Sequence, residues 1–191
     1  MSVIVAVEKG NRIAIAADSL HTAGSLKVPP HHKVNHKKLF KWGPSWMGLI
    51  GWGALSTIAE SVIRENPDAM NDPSRIGVFD TLRALHPILR DEYYLETHED
   101  KSQPVESSQL DGLMISPVGI IGFSSYRNVS EYARFWAIGA ARDYALGAMH
   151  SVYDRLRDPA AIAKAGVVAA IEFDDSCGAP IDVHTMTKKK A

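Results

Sequence analysis

The order in which strand-like and helix-like segments follow one another constrains the fold of this chain most. Short apolar runs rich in β-branched residues fill the first fifty residues, and two helical patterns follow. Strands, two more helices and a final strand complete the 191 residues. A parallel βαβ fold alternates single strands with single helices, so this block order disfavours it. Two sheets packed face to face between two layers of helices suit the order, and the sequence therefore predicts an α+β fold, specifically a four-layer αββα sandwich.

Turn residues and hydrophobic spacing locate the predicted elements. A hairpin is expected over residues 2–18 and a second strand pair over residues 37–51, each with a glycine-containing turn. The acidic stretch 96–109 is expected to be a solvated loop. The other predicted elements are helices at 54–67, 72–93 (kinked at Pro87), 140–157 and 159–173, and strands at 112–116, 119–123, 135–138 and 181–185.

The composition excludes several classes of protein. With 46% hydrophobic and 23% charged residues the chain is neither disordered nor fibrous, and its length suits one domain, placed at residues 2–187, with a basic tail at 188–191. Lys and Arg number 21 against 22 Asp and Glu, which argues against nucleic acid or a membrane as the main partner. The single cysteine, Cys177, cannot form an internal disulfide, and no segment resembles a signal peptide or a membrane span. We therefore expect a cytoplasmic protein.

The N-terminus carries the first candidate for chemistry. A small second residue such as Ser2 normally leads to removal of Met1, which would make the α-amine of Ser2 the chain terminus. Such an amine has a pKa of about 7.7–8.0, so near neutral pH it can act as a general base for the hydroxyl of its own residue. Most serines at this position have no such role, so the hypothesis depends on what accompanies Ser2.

Four short segments accompany Ser2, and together they resemble the family of proteasome β-subunits and HslV peptidases. They are Ala16-Ala17-Asp18-Ser19, Thr22-Ala23-Gly24, Lys37-Lys38-Leu39-Phe40 and Gly51-Trp52-Gly53-Ala54. In that family the mature chain begins with a catalytic threonine at the start of a hairpin whose second strand ends in Ala-Asp-Ser. Asp18 follows Ser2 at the same separation. The resemblance extends over nearly the whole chain and implies an N-terminal-nucleophile hydrolase fold.

The resemblance implies a role for each matching residue near the N-terminus. Ser2 stands at the position of the catalytic threonine, Lys38 at that of the catalytic lysine, and Asp18 at that of the aspartate that anchors the lysine. An ammonium beside the nucleophile stabilises the alkoxide and lowers the pKa of the amine. Lys33 is the alternative lysine: its separation from Ser2 is closer to that in the family, but its flanking residues match less well.

The resemblance also implies an oxyanion site and a substrate pocket. The turn Gly51-Trp52-Gly53 corresponds to the segment whose backbone N–H binds the tetrahedral intermediate, with Trp52 in place of a glycine. Trp52 has two open interpretations, a residue that reshapes the substrate groove or a core or interface aromatic. The resemblance implies that Thr22 contacts the substrate. It also implies that the pocket for the residue before the cleaved bond is lined by His21, Ile50 and Ala54.

Two segments nearer the C-terminus complete the resemblance. Within residues 174–178, Asp174 matches the aspartate near the nucleophile and Cys177 matches the accessory serine, for which a thiol is a weaker hydrogen-bonding substitute. Ala140 occupies the position of a second serine that would assist the amine, which predicts inefficient turnover. In the family this region can bind a structural cation through backbone carbonyls, here those of Ile171, Asp174 and Cys177.

Three histidines, His31, His32 and His36, lie in a proline-containing loop at a spacing that could hold a metal ion. No carboxylate or cysteine completes a set of four ligands, so a solvated loop is the preferred interpretation and no cofactor is expected. The loop is longer than is usual in the family, as it is in the betaproteobacterial proteasome homologues.

The function that the resemblance implies is hydrolysis of peptide bonds in unfolded proteins inside a stacked double ring of twelve or fourteen subunits. An ATP-dependent unfoldase is a candidate partner. One alternative is a ring subunit of little or no activity that serves as a scaffold or docking module, favoured by Ser2, Ala140 and Cys177 in place of family residues. A second alternative is an N-terminal-nucleophile amidohydrolase that acts on small amides.

Overall fold

A hairpin of two largely apolar strands, β1 (Val3–Lys9) and β2 (Arg12–Ala17), forms the centre of a four-stranded sheet in the computed structural model, which describes residues 2–189. Strand β10 (Phe135–Gly139) pairs with β1, and strand β11 (Asp182–Thr187) pairs with β2, both antiparallel. Because the hairpin is apolar on both faces, the sheet must be covered on both sides.

The second sheet has five antiparallel strands in chain order, each paired with the next. They are β5 (Leu39–Trp42), β6 (Ser45–Gly51), β7 (Leu110–Ser116), β8 (Gly119–Phe123) and β9 (Val129–Tyr132). The chain segment that connects the first sheet to the second contains a short hairpin, β3 (His21–Ala23) with β4 (Leu26–Val28), and a 3-10 turn at Pro30–His32. This connection, residues 18–38, contains Asp18 and both of the lysines considered above.

Two consecutive pairs of helices follow the strand blocks. They are α1 (Leu55–Glu65), α2 (Arg75–Asp91), α3 (Arg142–Val152) and α4 (Pro159–Phe173). Side-chain caps begin two of them: Ser74 accepts from the backbone N–H of Gly77 at 3.1 Å, and Asp158 accepts from that of Ala160 at 3.3 Å. Within residues 2–189, none of the helices has both the length and the apolar character needed to cross a bilayer.

Three hydrophobic clusters lie between these elements, and alternation along the strands explains them. The odd-numbered valines of β1 pack against α3 and α4, whereas Ile4 and Ala6, on its other face, pack against the second sheet. The third cluster lies between the second sheet and helices α1 and α2 and includes Met70, Val78 and Met114. The α+β class is thereby confirmed, and the packing is compatible with the predicted sandwich.

The structure corrects several predicted boundaries. Strands β3, β4 and β9 were not predicted, because each has only three or four residues and no strong apolar alternation. Helix α3 spans Arg142–Val152 rather than 140–157, and a turn leads from its end to Asp158. Helix α2 spans Arg75–Asp91 rather than 72–93, and it continues through the exposed Pro87.

The acidic stretch 96–109 was expected to be solvated, and this is wrong for part of it. Thr97, Ser107 and Ser108 are buried. The backbone N–H of Ser107 donates to the Thr97 carbonyl at 2.9 Å, and that of Ser108 donates to the Ser125 carbonyl at 2.7 Å. These bonds satisfy the buried backbone locally, which the acidic composition of the stretch does not reveal.

The basic tail packs onto the molecule as far as the structure describes it. The backbone N–H of Lys188 donates to the carbonyl of Asn11, in the turn between β1 and β2, at 2.8 Å. Lys189 donates in the same way to Pro117 at 2.8 Å, and the Lys188 Nζ lies 2.7 Å from a carboxylate oxygen of Glu8. The last two residues of the sequence lie outside the described range.

Candidate active site

A single buried carboxylate, that of Asp18, joins several segments at the end of β2. Its Oδ1 accepts from the backbone N–H of Val3 at 3.1 Å and from the Lys38 Nζ at 2.8 Å. Its Oδ2 accepts from the backbone N–H groups of Leu20 and Gly178, both at 3.1 Å. Asp18 has no exposed surface, and these four donors compensate for the loss of its hydration.

Lys38, just before β5, is the lysine that reaches this carboxylate. Its side chain is almost fully buried in the ion pair with Asp18. Burial lowers the pKa of Lys38, and the attraction of Asp18 offsets that effect only in part. A lysine in this state can stabilise a developing alkoxide beside it and takes part in proton transfer more readily than an exposed lysine.

Lys33, the alternative lysine, contacts a different residue. Its Nζ lies 2.8 Å from the Nδ1 of His21, whose Nε2 lies 3.0 Å from the carbonyl of His36. Burial lowers the pKa of His21, and the charge of Lys33 acts in the same direction. The geometry therefore favours Lys38 as the partner of Asp18 and makes Lys33 a partner of His21.

Ser2 lies directly before β1, at the end of the sheet where Asp18 and Lys38 meet. A cavity of about 450 Å³ opens here, and both Ser2 and Lys38 line it. Gly139 lets the backbone of Ser2 approach closely: its φ is +105°, and a Cβ at this position would lie 2.0 Å from the Ser2 carbonyl oxygen. Met1, whose removal was predicted, lies outside the described residues.

The cavity brings together most of the residues predicted to contact a substrate. Those that line it are His21, Thr22, Ile50, Gly51, Trp52 and Gly53. Ala54 is the exception among the described residues: it is exposed at the start of α1, and Leu55 and Ser56 line the cavity instead. Successive helical side chains point about 100° apart, so a shift of one residue changes which side chain faces the cavity.

The turn after β6 carries the segment predicted to bind the oxyanion. Gly51 pairs with Leu110 of β7, and the carbonyl of Trp52 accepts from the backbone N–H of Leu55 at 3.1 Å. The indole Nε1 of Trp52 is buried and has no hydrogen-bond partner among the described residues, a condition that costs about 1–3 kcal/mol. Because Trp52 lines the cavity, the geometry favours the interpretation of a residue that shapes the groove.

The loop after α4 places Asp174 and Cys177 behind Asp18. The Oδ1 of Asp174 accepts from the backbone N–H of Ser176 at 2.9 Å, and its carbonyl accepts from that of Cys177 at 3.1 Å. Burial, together with the carboxylates of Asp18 and Asp174, raises the pKa of the Cys177 thiol to about 12. The thiol is therefore protonated at neutral pH and is not a nucleophile.

Sequence reasoning missed several residues of this region. Leu20 and Gly178 supply backbone donors to Asp18, and Lys37 and Arg142 line the cavity. Gly178 ends the matched segment 174–178, so the motif contained a signal for it. Arg142 had no such signal, because only the packing of α3 brings its side chain to the cavity.

No metal centre is formed by side chains in the part of the chain that the structure describes, since no three His, Cys, Asp or Glu side chains come together there. His31 and His32 are exposed, and His36 is bound to the Lys33 carbonyl through its Nδ1 at 3.0 Å.

Comparisons with known proteins place this chain in a family. No family model and no curated protein matches the chain. Among solved structures, BPH from Thiobacillus denitrificans matches with a TM-score of 0.89 at 32% sequence identity, covering 99% of this chain and 100% of that one. The same protein in complex with epoxomicin matches with a TM-score of 0.88 at 33% identity, covering 98% of this chain and 100% of that one.

A more distant match shows the same fold. HslV from Trypanosoma brucei gives a TM-score of 0.67 at 18% identity, covering 97% of this chain and 99% of that one. Together these neighbours support a proteasome-like peptidase fold. Since identity to BPH exceeds 30% over its whole length, the chain belongs to the proteasome β-subunit/HslV family of N-terminal-nucleophile peptidases and is similar within it to bacterial proteasome-like BPH.

Proposed function

We propose that this protein hydrolyses peptide bonds of unfolded polypeptides, with Ser2 as the nucleophile once Met1 has been removed. The observation that carries the proposal is the position of Ser2 on the wall of a cavity of about 450 Å³ that Lys38, in its buried ion pair with Asp18, also lines. Family membership and the complex of BPH with epoxomicin support the reaction class.

The first step forms an acyl-enzyme. The Oγ of Ser2 attacks the substrate carbonyl carbon while its proton passes to the α-amine of the same residue. The ammonium of Lys38 stabilises the alkoxide and, as a like charge, keeps the α-amine unprotonated. Asp18 holds Lys38 in place, and backbone N–H groups of the turn 51–53 bind the oxyanion. Collapse of the intermediate breaks the C–N bond, and the α-ammonium gives its proton to the leaving amine.

The second step is hydrolysis of the ester. A water molecule attacks the acyl carbon and gives a proton to the α-amine, which returns a proton to the Oγ of Ser2 as the carboxylic acid product leaves. Asp174 and Cys177 belong to the loop that presents the backbone N–H of Gly178 to Asp18, and neither lines the cavity that Ser2 lines, so we assign them a positioning role.

The proposal needs no cofactor. A structural cation would bind the backbone carbonyls of Ile171, Asp174 and Cys177, and the Asp174 carbonyl already accepts a hydrogen bond from the backbone N–H of Cys177 at 3.1 Å. Such an ion would stabilise the loop after α4, away from the reacting atoms.

The proposed architecture is the four-layer αββα sandwich, assembled into a stacked double ring of twelve or fourteen subunits. The three hydrophobic clusters support the layering, and family membership supports a ring. A ring would admit unfolded chains and exclude folded proteins, and an ATP-dependent unfoldase is the partner that could supply such chains.

The test is intact mass spectrometry of the purified protein with and without epoxomicin, an epoxyketone that requires both the hydroxyl and the unmodified α-amine. We expect loss of the Met1 mass and one adduct that maps to Ser2. Lys38→Ala should abolish the adduct, whereas Lys33→Ala, a matched lysine outside the pair with Asp18, should retain it. No adduct on a protein whose N-terminus is confirmed as Ser2 would overturn the proposal.

A ring subunit of low activity is the second candidate. Ala140 lines the cavity where the family has an accessory serine, and the buried thiol of Cys177 replaces another. In that case the rings would assemble and Ser2 would become N-terminal, but neither the adduct nor cleavage of an unfolded protein would be detected.

A further inference from the structure

A second cavity opens at the same end of the molecule as the candidate active site. Its volume is about 240 Å³, and it shares Ile50, Gly139 and Arg142 with the cavity that Ser2 lines. It lies between the second sheet and β10, and we call it the inter-sheet cavity. Because the two cavities have common walls, an extended chain bound at Ser2 could reach both.

Strand alternation explains why polar side chains lie in the wall of this cavity. Leu113 and Ile115 of β7 face the apolar core between the sheets, so Asp111, two residues before Leu113, faces the same gap. On β9, Tyr132 packs against that core and Ser130 lies two residues before it. The core between the sheets therefore ends in polar side chains at its open mouth.

Asp111 is the only acidic side chain that lines the inter-sheet cavity among the described residues. Its Oδ1 accepts from the backbone N–H of Ser125 at 3.1 Å, and within residues 2–189 its other oxygen accepts no hydrogen bond. It is partly buried beside hydroxyl and amide groups of the lining, those of Ser124, Asn128 and Ser130. The carboxylate is thus held in place on one side and open to a ligand on the other.

An aromatic pair forms another wall. The rings of Tyr132 and Trp136 stack with their centroids 4.6 Å apart and an interplanar angle of 8°, and both line the cavity. Aromatic surfaces bind the aliphatic stems of long basic side chains and attract their charged ends. A carboxylate beside such a surface suits lysine or arginine better than an apolar or acidic side chain.

Arg142 is the one basic residue of the lining within residues 2–189, and its charge is screened. Its side chain is 57% exposed, and its Nε lies 3.6 Å from a carboxylate oxygen of Asp143. Solvent and this partner weaken its repulsion of a cation, whereas Asp111 is less exposed and its oxygens have no cationic partner among the described residues.

We propose that the inter-sheet cavity is a second substrate subsite that takes a lysine or arginine side chain of the bound polypeptide, with Asp111 as the specificity-determining residue. This inference rests on the proposed peptidase function, because it assigns the cavity to a substrate held at Ser2.

The test compares two internally quenched peptides that differ only by lysine or norleucine at one position, scanned through the residues on both sides of the cleaved bond. At one position we expect a higher kcat/KM for the lysine peptide. Asp111→Asn should lower the lysine-to-norleucine ratio at that position by about 10- to 100-fold, the worth of a hydrogen bond to a charged group. Because both peptides are measured on the same variant, partial loss of folded protein cancels in the ratio.

Glu131→Gln is the matched control. Glu131 lies between Ser130 and Tyr132 on β9, is exposed, and does not line this cavity. The ratio should therefore be unchanged in this variant. A wild-type protein that cleaves peptides without a basic preference, or a preference that survives Asp111→Asn, would overturn the subsite and leave the proposed function standing.

Peptide binding to the Ser2→Ala variant tests the inter-sheet cavity as a subsite independently of the proposed peptidase function. If the wild-type protein cleaves no peptide, the proposed function fails, but fluorescence anisotropy can still compare the lysine and norleucine peptides. A tighter Kd for the lysine peptide that is lost in Ser2→Ala combined with Asp111→Asn would support the cavity as a basic-side-chain site. Equal Kd values for the two peptides would overturn it.

Discussion

Two partly buried clusters in this molecule each contain a serine, a nitrogen base and a carboxylate, and they differ in what surrounds them. The first is Ser2 with Lys38 and Asp18 at the end of the four-stranded sheet. The second lies between α2 and the start of β7, where the Ser108 Oγ is 3.0 Å from the His86 Nδ1 and the His86 Nε2 is 2.8 Å from a Glu106 oxygen.

By hydrogen-bond geometry alone, the second cluster is closer to a serine-hydrolase triad than the first. Ser108, however, is 4% exposed and faces an apolar cavity of only about 50 Å³, lined by aliphatic side chains such as Leu85 and Leu89. The guanidinium of Arg127 also lies 3.3 Å from its hydroxyl. The comparison teaches that space for a substrate, rather than a chain of hydrogen bonds, separates a candidate site from a structural network.

The largest expected effect follows from breaking the first cluster at its centre. Asp18→Ala leaves the Lys38 ammonium and three backbone N–H groups buried without their acceptor, and we expect a loss of about 3–5 kcal/mol in the free energy of unfolding. The epoxomicin adduct should be lost as well. Urea unfolding and intact mass measure both results. Asp175→Ala, an exposed carboxylate of the same loop region, is the control, and an equal loss there would contradict the central role of Asp18.

Breaking the second cluster should affect stability and leave the chemistry in place. His86→Ala removes one hydrogen-bond partner from each of Ser108 and Glu106, and we expect a loss of about 1–3 kcal/mol in the free energy of unfolding. The adduct at Ser2 should still form on the folded variant. Labelling of the wild-type protein with a fluorophosphonate supplies the second check. A label on Ser108, or loss of the Ser2 adduct in folded His86→Ala, would show that the two clusters were wrongly distinguished.

The pH dependence of stability tests the surroundings of the first cluster through Cys177, which lies in the loop that donates to Asp18. The pKa of its thiol is raised from its ordinary value of 9.0 to about 12. The folded state therefore holds this proton more tightly, and the stability it contributes is present below pH 9 and is lost as the pH rises toward 12. The lowered pKa of Lys38 acts in the opposite sense, with stability rising as the pH increases toward 10.5, so a variant of the thiol alone is needed.

We expect the free energy of unfolding of the wild-type protein to fall relative to that of Cys177→Ser between pH 8.5 and 10.5, by at most about 1.4 kcal/mol per pH unit. Urea unfolding curves of both proteins at each pH measure this difference. Serine does not titrate in this range, so the variant lacks the effect of the thiol. Parallel curves for the two proteins would show that burial does not hold the proton on Cys177.

The smallest expected effect concerns Trp52, whose buried indole N–H has no partner among the described residues. Trp52→Phe removes this donor, so the free energy of unfolding should stay constant or rise by up to about 1 kcal/mol. Trp42 offers the matched control, because its indole N–H donates to the Asn66 carbonyl at 2.8 Å and Trp42→Phe should be destabilising. A greater loss from Trp52→Phe than from Trp42→Phe in urea unfolding would contradict this assignment.

The same two clusters show how far the sequence could predict the site. Asp18 follows an apolar hairpin at the separation typical of the family, so local pattern and motif both predicted it as a site residue. The flanking residues favoured Lys38 over Lys33, but the contacts that distinguish the two lysines depend on how residues 18–38 fold back onto the sheet, which the sequence alone does not give. Ala54 was misplaced for a similar reason, since the exact start of α1 decides which side chain faces the cavity.

The second cluster could not have been predicted at all. His86 stands alone on a helix, and Glu106 and Ser108 lie in a stretch whose acidic composition is typical of a solvated loop. Their hydrogen bonds join residues about twenty positions apart, and no local periodicity encodes such a pairing. Asp111 and Arg142 near the inter-sheet cavity were missed for the same physical reason.

The way residues 188 and 189 pack has a practical consequence. Lys188 is bound to the turn between β1 and β2 and Lys189 to the turn between β7 and β8, whereas Ser2 precedes the opposite end of β1, about 20 Å away along seven residues of strand. An affinity peptide fused after residue 191 would therefore emerge at the far end of the hairpin. The same peptide fused before Ser2 would convert the α-amine of Ser2 into an amide. Under the proposed mechanism, a protein purified with such a tag would therefore be inactive.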